Sequence, residues 1–212
     1  MKKLIAIIAT ALLAAIIAGC AAGSAEDASL ARQYLPEGVE FIRAEKDDGF
    51  TEHKYRDADG NEYTLLTDAS DSVRALEYDA KVRSTAEKSV LTEEEAFSKI
   101  TEIYPEAQLI TAVESPDDGR WEWDILFCDG DTLGFYELDA ATGDILSYDL
   151  VYSVSDTIDP AAIISANIPG AEITGLSIDA DDGRLQIQGE AGKAEFTIDI
   201  ETGTIVGIEY DD

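Results

Sequence analysis

The sequence is expected to fold as α+β, in repeated modules that each pack one helix on an antiparallel sheet of about four strands. Three observations predict this. Short helical patterns end in Leu35-Pro36-Glu37-Gly38, Tyr104-Pro105-Glu106-Ala107 and Ile168-Pro169-Gly170-Ala171, and each tetrad precedes an apolar, strand-like run. Asp-Asp-Gly then recurs at Asp47-Asp48-Gly49, Asp117-Asp118-Gly119 and Asp181-Asp182-Gly183, and Asp-Gly between apolar runs signals a hairpin because glycine accepts a positive φ. Finally, Asp139-Ala140-Ala141-Thr142-Gly143-Asp144-Ile145 aligns with Asp199-Ile200-Glu201-Thr202-Gly203-Thr204-Ile205, a turn that restarts the last strand.

The chain begins with an export pattern. Lys2 and Lys3 precede an apolar stretch of 14 residues, 4–17, broken only by Thr10, a length that suits a signal peptide better than a membrane span. Ile17-Ala18-Gly19-Cys20 resembles the bacterial lipobox, which implies cleavage of residues 1–19 and lipidation of Cys20. Two buried acyl chains anchor stably where one does not. Residues 20–29 are then the lipidated cysteine and a small, polar tether.

The modules follow at 30–82, 91–152 and 157–212. In the first, the helix is short, with Ala31, Tyr34 and Leu35 after Asp27. Its last turn, Asp68-Ala69-Ser70-Asp71-Ser72-Val73, lacks the glycine of the other two copies, so this copy is degenerate. The second helix opens on Thr92-Glu93-Glu94-Glu95, a capping box, and sets Ala96, Ile100, Ile103 and Tyr104 on one face. The third has Asp159 as N-cap and Pro160 at the first helical position. Second turns fall at Asp59-Gly60-Asn61, Asp129-Gly130-Asp131 and Glu190-Ala191-Gly192. The junction 81–91 is polar and locally basic and longer than 153–158, so the first module is expected to move relative to the other two.

The order helix, Tyr-Pro-x-Ala, strand, hairpin, aromatic-x-x-Asp-x-x-Thr-Gly-x-(Ile/Val), strand resembles the PepSY domain. The second module carries it through Pro105, Ala107, Tyr136, Asp139, Thr142, Gly143 and Ile145, and the third through Pro169, Ala171, Phe196, Asp199, Thr202, Gly203 and Ile205. The first matches only at Pro36, Leu65 and Asp68. The resemblance implies a bacterial extracytoplasmic module that inhibits or regulates peptidases, and it supplies no catalytic residues.

Charge limits the partners further. Fifteen Lys and Arg against 45 Asp and Glu give a net charge of −30, which disfavours nucleic acid, whose phosphates need a basic patch. The field would instead speed encounter with a basic protein. Clustered carboxylates also admit calcium as an alternative, but Asp57-Ala58-Asp59-Gly60-Asn61 has a misplaced glycine and no closing glutamate, so no metal site is assigned. Trp121 and Trp123 share a strand face with Ile125 and Phe127; exposed they would bind a partner, buried they would fill the module. A single histidine, His53, is expected at the surface, and Cys128 is expected to be a buried thiol, so no catalytic set is assembled. The expected function is that of a lipid-anchored, non-enzymatic interaction module of the cell envelope whose partner is a protein, with a secreted or envelope peptidase as the candidate. A cation-binding envelope protein and a structural spacer are the alternatives.

Overall fold

The computed structural model describes residues 25–47, 49–117, 119–155 and 158–210; the export signal and Cys20 lie outside the described residues. The fold is α+β and dominated by antiparallel sheets. Helix α1 (Ala25–Tyr34) leads into β1 (Glu40–Asp47), β2 (Phe50–Arg56), β3 (Glu62–Thr67) and β4 (Val73–Asp79). Helix α2 (Glu93–Ile103) leads into β5 (Gln108–Asp117), β6 (Arg120–Asp129), β7 (Thr132–Asp139) and β8 (Ile145–Val151). Helix α3 (Pro160–Asn167) leads into β9 (Ile173–Asp181), β10 (Arg184–Ala191), β11 (Ala194–Asp199) and β12 (Thr204–Tyr210). Helix α1 begins inside the segment expected as tether.

The local signals explain these elements. Thr92 accepts from the Glu95 amide while the Glu95 carboxylate accepts from the Thr92 amide, which closes the capping box of α2. Asp159 accepts from the Ala162 amide and Pro160 opens α3. Gly49, Gly119 and Gly183 turn the three Asp-Asp-Gly hairpins with φ of 84°, 78° and 76°. Where the first unit lacks a glycine, Asp71 itself adopts φ 61°, a conformation that aspartate reaches more readily than most residues.

The strands do not remain in three separate four-stranded sheets, as the repeat alone suggested. β4 pairs with β8, giving one eight-stranded sheet in the order β1-β2-β3-β4-β8-β7-β6-β5, while β12-β11-β10-β9 form a second. Alternation places the side chains of the large sheet on two covered faces. One face carries Tyr55, Leu65, Leu76, Trp123, Ile125 and Phe127 against Ala96 and Ile100 of α2 and Leu35 after α1. The other carries Phe50, Leu66, Leu126, Leu133, Phe135 and Val151 in one cluster with Ile164, Leu176, Leu185, Ile187 and Phe196 of the third unit.

Four expectations, on the first unit, Ile103, His53 and the buried thiol of Cys128, are corrected by this packing. The first unit is not a mobile module, because β4 and β8 are joined by a backbone ladder from Ala75↔Val151 to Asp79↔Ser147. Ile103 is 49% exposed, since the sheet takes the Ala96–Ile100–Tyr104 line of α2 and leaves the third-residue offset outside. His53 is only 9% exposed, because it shares the inward parity of Tyr55, and its Nε2 lies 3.1 Å from the Thr67 hydroxyl. Cys128, near the end of β6, is half-buried.

Candidate functional site

The Asp139 turn fixes the region that holds the two tryptophans. Its Oδ1 accepts from the amides of Ala141 and Thr142, both at 2.9 Å, and Gly143 N donates to Asp139 O at 2.8 Å. Its Oδ2 accepts from the Thr85 amide at 2.7 Å and hydroxyl at 3.1 Å, and from the Ser84 hydroxyl at 3.3 Å. Burial would raise this carboxyl, but the amides of Thr85, Ala141 and Thr142 overcome it and hold the pKa down at about 2. The basic junction is therefore docked, not loose: Val90 N and Leu91 N both donate to Ala140 O.

Trp123 is 9% exposed, and its indole N–H donates to Leu91 O at 3.2 Å. Trp121 is half-buried; its amide donates to Ala86 O, and its carbonyl accepts from Ala140 N. Both lie on β6, an interior strand whose backbone is paired on each side by β5 and β7. The indole of Trp123 belongs to the core cluster, and Trp121 packs against it.

The opposite parity of the same strands, which the repeat motifs did not single out, builds an acidic cleft. Glu122 and Asp124 are 7% and 4% exposed, and with Asp79, Glu137 and Glu190 they line a space of about 540 Å³ between β6–β8 and the start of β9. Deeper along this face, Glu77 and Asp149 sit directly opposite each other in the β4–β8 ladder. Burial, then the Glu52 carboxylate, push Glu77 up to about 7, with Lys54 opposing. Burial, then Glu77, Glu137 and Asp179, raise Asp149 well above the usual carboxylate range. Charge count alone could not locate this group. The useful signal was Ile125-Leu126-Phe127, an apolar run on both parities that marks a strand covered on both faces, so that acids on either parity are enclosed.

Two further features bear on binding. The carboxylate of Asp57 accepts from the amides of Asp59, Gly60 and Asn61, each at 2.9 Å, which makes that loop an aspartate turn. Among the described residues no group of three or more His, Cys, Asp or Glu is placed to hold a metal ion, and no helix is long and apolar enough to cross a membrane. The sheet edges differ sharply. β1 alternates Arg43, Glu45, Lys46 and Asp47 and is mostly exposed, a charged edge that resists pairing. β12 ends the smaller sheet with Val206 at 49% and Tyr210 at 67% exposure.

With helix, capping box, hairpins and aspartate turn in place, residues 90–149 match the PepSY family model, described as the peptidase propeptide and YPEB domain. A crystal structure of a Clostridium difficile 630 protein, named a candidate lipoprotein, overlaps 58% of this chain and 95% of its own at 15% identity, with a TM-score of 0.31. The Bacillus megaterium YpeB C-terminal domain overlaps 92% of this chain and 100% of its own at 11% identity, with a TM-score of 0.37. No curated protein matches the chain.

Proposed function

We propose that this chain is a lipid-anchored, extracytoplasmic interaction protein of three PepSY-like units that regulates a peptidase without being an enzyme itself. The observation that carries the reading is the open edge of β12 beside a family match to peptidase propeptides. An exposed strand edge offers unpaired amides and carbonyls to an extended segment of a partner, and alternate side chains set its specificity. Val206 and Tyr210 supply the apolar contact, and the net charge of −30 favours a basic partner. Trp121, the more exposed of the two tryptophans, is a second candidate contact. Cys20 would hold the assembly at the membrane.

The experiment immobilises the full-length protein in mild detergent and challenges it with extracytoplasmic peptidases of the same host at low and moderate salt. A captured peptidase whose activity falls on binding, with both effects lost in Val206→Asp, is the expected result. Unchanged capture by Val206→Asp removes β12 from the reading, and unchanged activity of bound peptidases removes regulation. Radiolabelled fatty acid incorporated by the parent but not by Cys20→Ala checks the anchor.

A further inference from the structure

The two sheets meet through a joint that is apolar at one end and carboxylate-lined at the other. At the apolar end, Leu66, Phe135 and Val151 of the large sheet share a cluster with Leu176 and Leu185 of the small one. At the other, Glu77 and Asp149 project from the same face, since Glu77 has the parity of Ala75 and Asp149 that of Val151. Asp179 of β9, exposed and accepting from Gln188 Nε2 at 3.1 Å, adds a weaker negative charge from the opposite sheet. The remaining groups facing the pair are Glu52 and Lys54 from β2 and Glu137 from β7. Lys54 is the cation among them, and its Nζ is already engaged by Glu52 at 2.6 Å and Glu45 at 3.4 Å. Towards the cleft mouth the charges are Asp79, Glu122, Asp124 and Glu190, with Arg83 from the junction.

We propose that this joint is a pH-responsive clamp: the third unit docks tightly on the large sheet in mildly acidic solution and loosens as the pH rises through neutrality, because Glu77 and Asp149 stand opposite each other on the face of the large sheet that the third unit covers. The clamp rests on geometry that is independent of the peptidase reading. Like charges enclosed together disfavour the ionised state, so the docked form binds protons that an opened, hydrated form releases. The sign follows from linkage. A carboxyl whose docked pKa lies above its open value contributes docking strength below the open value and loses it as the pH rises towards the docked one. The window therefore runs from the ordinary carboxylate range up to about 7, the docked value of Glu77. The ladder of β4 and β8 fixes Glu77 and Asp149 laterally, so the relief available to them is separation of the sheets.

The test uses the full chain with a single reporter cysteine, read peptide by peptide so that Cys20 and Cys128 do not interfere. Ala75→Cys, 2% exposed, lies in the joint, and Ala96→Cys, 0% exposed, lies in the core under α2. The ratio of their labelling rates with a dithiopyridine reagent cancels thiol ionisation and global unfolding. Between pH 5 and pH 7.5 the ratio of Ala75→Cys to Ala96→Cys labelling should rise at least about tenfold. In a Glu77→Gln/Asp149→Asn background the rise should vanish. A flat ratio in the parent, or an undiminished rise in the double variant, overturns the clamp. Should the double variant fail to fold, Glu77→Gln alone takes its place: a smaller rise is expected there, and an undiminished one overturns the proposal.

Discussion

The first and second units are joined by backbone, and the third meets the sheet they share through packing without a ladder among the described strands. At the first seam β4 and β8 continue one ladder, and a row of rings crosses it: Tyr63–Tyr78 at 5.0 Å, Tyr78–Tyr148 at 4.8 Å and Tyr148–Tyr136 at 4.9 Å. Hydrogen bonds of a ladder and stacked rings respond little to mild pH, and each aromatic pair adds about 0.5–1.5 kcal/mol beyond its buried area. The second joint lacks a ladder among the described strands and is held by apolar packing, an Arg74–Glu201 contact at 2.9 Å and the meeting of two hairpin tips at Gly49 and Gly183. The same order of one helix and four strands thus makes a continuous ladder in one place and a face-to-face joint in the other. Which of the two arises is decided by whether a neighbour meets the edge or the face of the sheet.

The sharpest way to break this comparison is to cut into the first seam. Leu76 is 3% exposed and lies opposite Leu150 across it. Leu76→Ala should cost about 2–5 kcal/mol. Since the ladder couples the two units, amide protection should fall together in β3 and β7, with β11 much less affected. If β7 keeps its protection, the seam is only an abutment and the contrast fails.

The second joint has its own weak point, where two tips approach without room for a side chain. A Cβ on Gly49, at φ 84°, would come within 2.6 Å of Gly183 Cα and 2.7 Å of Gly183 N. Gly49→Ala combines the cost of a left-handed alanine, about 1 kcal/mol or more, with a backbone clash of about 1–3 kcal/mol. Gly183→Ala, at φ 76° with its nearest contact at 3.8 Å, has the first cost alone. In global thermal unfolding, Gly49→Ala should therefore lower the midpoint more than Gly183→Ala does. Equal effects would show that the tips do not bear on one another.

The contrast between these positions also shows what was legible in the sequence. Turn chemistry was readable: the glycines of the hairpins, the Thr92–Glu95 box and the Asp139 turn each depend on residues a few positions apart. Lateral relations were not. Nothing local to Val73–Asp79 states that its outer edge will pair with Ile145–Val151, and a degenerate first repeat with a basic junction looked detachable. Ser84 and Thr85 were polar junction residues until Asp139 was found accepting from both. The burial of His53 is lateral in the same way, since it rests on Leu65 and Thr67 of the neighbouring strand. The acidic cleft was hidden by excess: with 45 carboxylates, only pairing across strands distinguishes Glu77 and Asp149 from solvated neighbours.

Asp139 lets the two joints be told apart by the direction of their pH response. Its carboxylate satisfies three amides and two hydroxyls, so Asp139→Ala should cost about 1–3 kcal/mol and release the 84–91 junction. Its folded pKa of about 2 lies below the unfolded value near the ordinary aspartate range. The contribution is therefore complete above the unfolded value and lost as the pH falls towards 2, opposite in sign to the clamp. Denaturant midpoints of parent and Asp139→Ala should converge on acidification from pH 5 to pH 2. A constant difference would assign the cost to packing instead of to the carboxylate.

The smallest effect belongs to the ion pair at the second joint. Arg74 Nη2 donates to Glu201 Oε1 at 2.9 Å, with a second, longer approach of Nη1 to Asp68 at 3.8 Å. The Glu201 side chain is 57% exposed, so water and salt screen the contact. Arg74→Ala should then cost under about 1 kcal/mol and lose even that at high salt. The value of the measurement lies in the comparison. If the second joint is closed mainly by apolar surface and opened by enclosed carboxylates, removing this surface cation should raise Ala75→Cys labelling slightly at every pH and leave the slope with pH unchanged. If the slope itself changes, Arg74 is neutralising the half-buried acids from a distance, and the electrostatics of the joint reach beyond the residues on the covered face.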